Sequence, residues 1–402
     1  MKRFHLEILP PDEDRHAEEM FDLIAKVFSP GPGYYGALGT LGDKYIRNGS
    51  YYDWKASRIG FINGRIVTHF GVWGYRMRIG ASRVRVGGIG AVATHGHYRR
   101  LGLMAETTNA SIQAMRDSDY DLSILFGIDN FYHKHGYARA WCSTTYSVRT
   151  GNLPADRSPF RISQFVPKHR EDLADLYNRE HATFTGTAVR PTYLVNRWPT
   201  QTGYLWRDGK GMVAGYVLVD RNEEKLRAIE ACGDPGRILQ VTGRLARRGG
   251  YREVHFSTIP HGSELCKRIR RGNSRMEVGN RLSGGPMVRI VNLVSTLTKM
   301  RREFSIRLRN SHLSNWNGKL TLADGREEAT LAIEGSRVEV TAPQKTPHSI
   351  RGGNELASLL IGTDEPLETV ESGRMRLSGE AKALVRVLFP NEHPVLSSRD
   401  GF

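Results

Sequence analysis

The stretch Val92-Ala-Thr-His-Gly-His-Tyr-Arg-Arg-Leu-Gly-Leu-Met104 decides how the first third of this chain is read. Upstream of it, residues 84–93 read as a strand, and residues 103–116 downstream read as a helix. The turn between them holds two adjacent arginines, Arg99 and Arg100, and a glycine, Gly102. A helix opening near Gly102 leaves its first backbone N–H groups without intrahelical acceptors and presents the positive end of its dipole. Two guanidinium charges beside it make the turn a cradle for an anion such as a pyrophosphate. A second pattern overlaps it: Gly88-Ile-Gly90-Ala-Val-Ala93 satisfies the G-x-G-x-x-A dinucleotide fingerprint. That fingerprint needs a helix opening directly from its glycines, and here they lie before or within a strand, which argues against a nicotinamide or flavin site.

Working outward, residues 1–150 read as one mixed α/β unit. Residues 4–9 alternate like a strand and residues 12–27 have a helical pattern. Residues 58–63 and 65–79 flank an Asn63-Gly64 turn as a hairpin. Met104, Thr108, Ile112 and Met115 share one helical face, which is core packing. Leu122, Ile124 and Phe126 alternate into another strand, so the cradle lies inside a β-α-β crossover, with ligand expected at the carboxyl ends of its two strands. Just beyond lies Asp129-Asn-Phe-Tyr-His-Lys-His-Gly-Tyr137, where Asp129 or Asn130 can cap a short helix and Gly136 can end it.

The 402 residues carry a formal charge of +16 and a pI near 9.9, which favours acidic partners. Residues 244–252 and 267–275 are arginine-rich enough to track phosphates, but they also suit solvated helix ends, and no recognition module accompanies them. Nucleic acid is therefore the rival class rather than the reading. The chain lacks a long apolar run and its start is too polar for a signal peptide, so a cytoplasmic protein off the membrane is expected. Cys142, Cys232 and Cys266 are odd in number and widely spaced, as in a reducing compartment. His95, His97, His133 and His135 form two His-x-His pairs without a placed carboxylate, so no metal is expected.

Arg99-Arg100-Leu101-Gly102-Leu103 resembles the R/Q-x-x-G-x-G/A acyl-CoA signature of GNAT acetyltransferases, with Met104 where Gly or Ala is usual. Val-Ala-Thr-His followed by Tyr-Arg-Arg-Leu-Gly-Leu-Met is similar to one branch, the Eis-like (enhanced intracellular survival) enzymes, which commonly carry a bulky residue there. The resemblance implies acetyl-CoA as co-substrate, held by Arg99, Arg100 and the N–H groups of Leu101, Gly102, Leu103, Met104 and Ala105. Val92, Ala93 and Thr94 would polarise the thioester carbonyl, and Gly127 and Ile128 would line the pantetheine. Phe131-Tyr132 through Gly136-Tyr137 resembles the F-Y-x-x-x-G-[FY] element, which implies Tyr132 as general acid. A phenol with an ordinary pKa near 10 is protonated at neutral pH and can supply that proton. In Eis-like enzymes the terminal carboxylate threads back into the first domain as general base, and the chain's last residue, Phe402, matches that ending. An α-carboxylate with an ordinary pKa of about 3.5 is a weak base, better suited to relaying a proton through water; Asp400 is a nearby alternative.

The fold expected is α/β with α+β mixed sheets: tandem GNAT folds followed by a sterol-carrier-protein-like α+β domain. Residues 1–150 form the catalytic domain. After a linker at 151–158, residues 159–288 echo the order of elements without R-x-x-G-x-G, as the resemblance implies for a second, degenerate GNAT-like domain. Residues 289–402 would be the third domain, with strands at 303–308, 318–322, 328–333 and 338–341 and helices at 355–361, 367–373 and 381–388. The implied reaction is acetyl transfer to a primary amine, small-molecule or peptide, by a homo-oligomer that is a hexamer if it follows the family. A nucleic-acid binder and a non-catalytic lipid-carrier scaffold are the alternatives.

Overall fold

A computed structural model describes residues 5–29, 46, 50–155, 161–192, 202–221, 225–281 and 283–402. Phe4, and residues 156–158 of the expected linker, lie outside the described residues. The chain begins with β1 (Glu7–Leu9), α1 (Glu13–Phe28), β2 (Arg58–Ile62), β3 (Arg65–Ile79), β4 (Ser82–Thr94), α2 (Leu103–Asp117), β5 (Leu122–Gly127), β6 (Ala138–Arg139) and β7 (Ser143–Arg149). Then come β8 (Ile162–Gln164), α3 (Arg170–Glu180), β9 (Ala188–Val189), β10 (Gly203–Arg207), β11 (Val213–Arg221), β12 (Leu226–Gly233), α4 (Pro235–Arg248), β13 (Glu253–Ser257), α5 (Glu264–Arg271), β14 (Ser274–Gly279) and β15 (Gly285–Ile290). The remainder holds α6 (Leu293–Arg309), β16 (Asn317–Ala323), β17 (Glu328–Glu334), β18 (Arg337–Thr341), β19 (His348–Gly352), α7 (Glu355–Leu360), α8 (Pro366–Glu371), β20 (Met375–Ser378) and α9 (Ala381–Leu388).

These elements build three mixed sheets. The first runs β1-β2-β3-β4-β5-β15-β6 with β9 beside β3, the second β14-β7-β13-β12-β11-β10-β8, and the third β18-β17-β16-β19-β20. The β2–β3 hairpin turns at Asn63 and Gly64, both with positive φ (50° and 74°), as a two-residue turn matching the strand twist requires. In the first sheet β4 and β5 are parallel and α2 makes the crossover; in the second, β12 and β13 are parallel and α4 does the same. Order and crossover thus repeat between the two sheets.

The two sheets exchange a strand. β7 sits between β13 and β14 in the second sheet, while β15 sits between β5 and β6 in the first. Boundaries at 150 and 288 therefore do not follow sheet membership. The cause is apolar burial across the chain: Tyr146 and Val148 of β7 join Val254 and Phe256, and Val288 of β15 joins Leu122 and Ile124. Linear order along the chain carries no mark of such an exchange.

Residues 303–308, expected as a strand, lie within α6. Leu293, Leu297, Met300, Phe304 and Leu308 are all buried along one side of that helix, and the longer helical spacing overrides the local alternation of Phe304, Ile306 and Leu308. α6 also ties the third sheet to the first, since its apolar side shares a core with Val84 and Val86 of β4. Among the described residues no helix is long and apolar enough to cross a membrane.

Candidate active site

β4 and β5 pair only from Val86·Leu122 to Ile89·Leu125. Beyond that point β4 continues to Thr94 and β5 to Gly127, so the parallel pair opens into a fork. On the fork side, residues 90–94 have no strand partner among the described residues. These include Val92, Ala93 and Thr94, whose backbone was expected to meet a carbonyl. Side chains alternate between the two faces of each arm. Gly88, Gly90 and Phe126 belong to one face, and Ile89, Leu125 and Gly127 to the other, which α2 covers through Met104, Ile112 and Met115.

The arginine turn feeds directly into α2. Arg100 (φ 65°) and its N-cap Gly102 (φ 84°) are both left-handed, a conformation that gathers successive N–H groups on a concave side. No side chain caps this helix. By contrast α1, α4, α5 and α6 accept their first amides on Asp12, Asp234, Ser263 and Asn292. The first-turn amides of Leu103 and Met104 thus lack both an intrahelical acceptor and a cap. The Ala105 N–H, expected among the anion donors, is already given to the Gly102 carbonyl at 2.9 Å. Arg99 and Arg100 are exposed, with the Arg99 Nε donating to the Thr94 carbonyl at 3.3 Å, and Leu101 is exposed beside them. Met104 points into the core between sheet and helix, so its bulk does not fill the turn.

Phe402 lies on the open face of the fork. Its ring stacks on Tyr75 at 5.9 Å and meets Phe126 at 5.5 Å between centroids. A methyl group placed on Gly88 would fall 2.2 Å from the Phe402 ring, and one on Gly90 would fall 3.0 Å from its carboxyl carbon. The G-x-G pattern is therefore the floor on which Phe402 rests. Gly88→Ala is expected to displace Phe402 from that floor, because a methyl group there overlaps its ring, and a crystal structure of the variant checks this.

Tyr132 lies on the other face. Its ring packs over Gly127, 2.7 Å from where a Cβ would be, and against Phe131 and Tyr137. It opens a short 3-10 turn, Tyr132–His135, ended by Gly136 at φ 83°. The capping expected of Asp129 or Asn130 is not made: Phe131 holds the N-cap position, and the Asn130 N–H donates to Ser283 Oγ at 2.7 Å. Burial pushes the Tyr132 phenol up to about 12, so it is fully protonated at neutral pH. Its hydroxyl has no hydrogen-bond partner among the described residues. Gly127 and the exposed Ile128 and Phe126 continue the β5 arm as an apolar edge.

Residues 12–140, which hold both arms of this fork, match the acetyltransferase (GNAT) domain family. This is a GNAT acetyltransferase domain, and the chain is an acyltransferase. Over its whole length the fold is similar to three solved structures. One is a conserved protein of Enterococcus faecalis V583, at 17% identity and a TM-score of 0.78 over 100% of both chains. The second is a GCN5-related N-acetyltransferase from Anabaena variabilis, at 17% and 0.78 over 99% of this chain and 100% of the other. The third is Eis1 from Mycobacterium abscessus, at 14% and 0.68 over 99% of this chain and 100% of the other. At such identities the likeness is one of fold. Among curated proteins there is no significant match.

The acetyltransferase domain also uses residues that its sequence did not single out. His69 on β3 is fully buried; its Nδ1 lies 2.7 Å from the Ala91 carbonyl and its Nε2 2.8 Å from the Tyr52 hydroxyl. Ala91 sits at φ 49° where the β3–β4 register shifts, so this imidazole braces the bulge that bends β4 away from β5. Burial, only partly offset by the Ala91 carbonyl, lowers His69 from 6.5 to about 4. Its folded value lies below its unfolded one, so the unfolded chain takes the proton first. Stability is full above about pH 6.5 and is lost as pH falls towards about 4, by up to roughly 3 kcal/mol. Urea unfolding between pH 7 and 4 should show that slope, and His69→Gln should flatten it.

A second group lies farther along the chain. Arg190 forks onto Glu230 at 2.8 and 2.6 Å and onto Asp400 at 3.0 and 2.9 Å, all three side chains being shielded from solvent. Burial alone would lower the guanidinium, but the Asp400 and Glu230 charges prevail and hold it well above its ordinary value. Asp400 also accepts from Thr192 at 2.8 Å. Both of its oxygens are thus engaged, which removes it as an alternative base. No local motif could have disclosed partners separated by 210 residues. Among the described residues no cluster of His, Cys, Asp or Glu is arranged to hold a metal ion.

Proposed function

We propose that this chain transfers the acetyl group of acetyl-CoA directly to a primary amine, and that it is an Eis-like enzyme. The observation that carries this reading is the placement of Tyr132 and the Phe402 carboxyl on opposite faces of one β fork. The donor would lie on the α2 face, its pyrophosphate on Arg99, Arg100 and the amides of Leu101, Gly102, Leu103 and Met104. Its pantetheine would run along Gly127 and Ile128. The free edge at Val92, Ala93 and Thr94 would polarise the thioester carbonyl. A neutral amine arriving on the Phe402 face attacks that carbon; the C–N bond forms, the C–S bond breaks, and the amine proton passes to the Phe402 carboxylate, directly or through water. Tyr132 protonates the departing thiolate, and solvent restores both groups.

The second sheet supports the same reading by contrast. Its own parallel pair parts after Ala228·Phe256, but the N-terminus of α4 is closed by the Asp234 carboxylate, which accepts from the Arg237 N–H at 2.8 Å. A carboxylate there repels phosphate. We therefore take residues 159–288 as a GNAT-like domain that binds no donor; from the Eis-like resemblance alone we take residues 289–402 as a sterol-carrier-protein-like domain and a homo-oligomer as the working assembly. The acceptor is a small-molecule or peptide amine.

Acetyl-CoA is expected to raise the melting temperature of the protein, and Arg99→Ala with Arg100→Ala to abolish most of that shift. Removing one charged hydrogen bond to the pyrophosphate weakens donor binding by roughly 1.5–3 kcal/mol. CoA release measured across a panel of amines tests the transfer itself. Release from no amine, or a donor shift untouched by both arginine changes, contradicts the proposal.

A further inference from the structure

Beyond α9 the chain forms no helix or strand, and a free tail of that kind frays in solvent. This one is held at successive points. The Val395 N–H donates to the Thr185 carbonyl at 3.1 Å, Leu396 is buried, and the Ser397 hydroxyl donates to Glu230. The Asp400 N–H turns back onto the Ser397 carbonyl at 2.9 Å. The Asp400 carboxylate then meets Arg190, whose guanidinium is packed on the Tyr177 ring at 3.5 Å and gripped from its other side by Glu230. Glu230 is itself fixed by the Tyr216 hydroxyl at 2.7 Å. Glu230 and Tyr216 belong to β12 and β11 of the second sheet, whereas Thr185 and Arg190 flank β9, which pairs with β3 of the first, so the tail is gripped from both sheets.

Only Gly401 separates Asp400 from the residue that rests on Gly88 and Gly90 of the first sheet. Two residues of extended chain span at most about 7 Å, so whatever fixes Asp400 confines the terminal carboxylate to that radius. An apolar anchor such as Leu396 resists withdrawal but lets the segment slide. A planar guanidinium forked between two carboxylates fixes orientation as well as distance.

We propose that Arg190 and Asp400 are positioning residues for acetyl transfer: the Glu230–Arg190–Asp400 fork, in which Glu230 of the second sheet fixes the Arg190 guanidinium, sets where the Phe402 carboxylate stands on the first sheet. The proposal rests on the reading of that carboxylate as proton acceptor. It gives the second GNAT-like unit, which binds no donor, a part in the chemistry of the first.

The test is a double-variant comparison of kcat in the full chain. Asp400→Asn keeps the shape of the anchor and removes its charge; C-terminal amidation, made by ligating a synthetic tail, removes only the terminal carboxylate. Asp400→Asn is expected to lower kcat about 10- to 100-fold in the native chain, the range that a misplacement near 1 Å brings, with KM for acetyl-CoA unchanged. In the amidated chain the same change should cost less than about twofold, because the group it positions is gone. Where Asp400→Asn fails to fold, Thr192→Val removes a single hydrogen bond to Asp400 and should show the same dependence at smaller amplitude. Equal losses in both chains, or no loss in the native chain while amidation is costly, overturn the positioning role and leave the base in place. An amidated chain with undiminished kcat overturns the base reading and the proposal with it.

Discussion

Replacing Tyr132 by phenylalanine is expected to lower kcat by about 10²- to 10³-fold while KM for acetyl-CoA stays within about threefold. The ring keeps its place over Gly127 and against Phe131 and Tyr137, so packing survives the change. The hydroxyl has no partner among the described residues, so its removal strands no buried group and stability should shift by less than about 0.5 kcal/mol. What disappears is the proton for the departing thiolate. Because burial pushes the phenol up to about 12, the acid form persists across the working range, and kcat should show no alkaline loss from this group below about pH 10. Kinetics from pH 6 to 10, with a melting curve for each variant, check both halves. A variant that keeps wild-type kcat would remove Tyr132 from the mechanism.

Deletion of Phe402 should be about as damaging to kcat, roughly 10²- to 10³-fold, and should spare the donor. The shortened chain still ends in a carboxylate, but one residue earlier and so displaced by about 3.5 Å from the floor at Gly90. It also loses the ring held by Tyr75 and Phe126. Because these rings lie on the face of the fork opposite Tyr132 and α2, the melting shift given by acetyl-CoA should remain. Loss of that shift together with kcat would mean that the tail props the fork open rather than serving the acceptor.

Much of this was legible because it is local. Arg99, Arg100 and Gly102 declare a basic strand-to-helix turn wherever they occur, and the φ of 84° at Gly102 is the conformation that makes glycine the apt residue there. The short turn at Tyr132 follows from Gly136 in the same way. Other features were legible only in part. The strand context of Gly88-Ile-Gly90 argues against a dinucleotide fingerprint, but nothing local discloses what its glycines accommodate, the close approach of Phe402. Strand alternation at residues 303–308 gave way to the longer spacing of α6, whose core neighbours on β4 lie more than two hundred residues away. The exchange of β7 and β15, the His69 brace and the Arg190 fork were beyond reach, since each depends on segments brought together by the whole fold. Near the chemistry, the sequence declares side chains that act through their own backbone neighbourhood and hides those that act across sheets.

A crystal structure of the protein with CoA bound is the most direct measurement. The pyrophosphate should lie on the amides of Leu101, Gly102, Leu103 and Met104, with the thiol within hydrogen-bonding reach of the Tyr132 hydroxyl on the α2 face of the fork. The Phe402 carboxylate should stand across the fork, on the other face. CoA bound away from the β4–β5 fork, or a thiol lying on the Phe402 face, would contradict acetyl transfer at this fork.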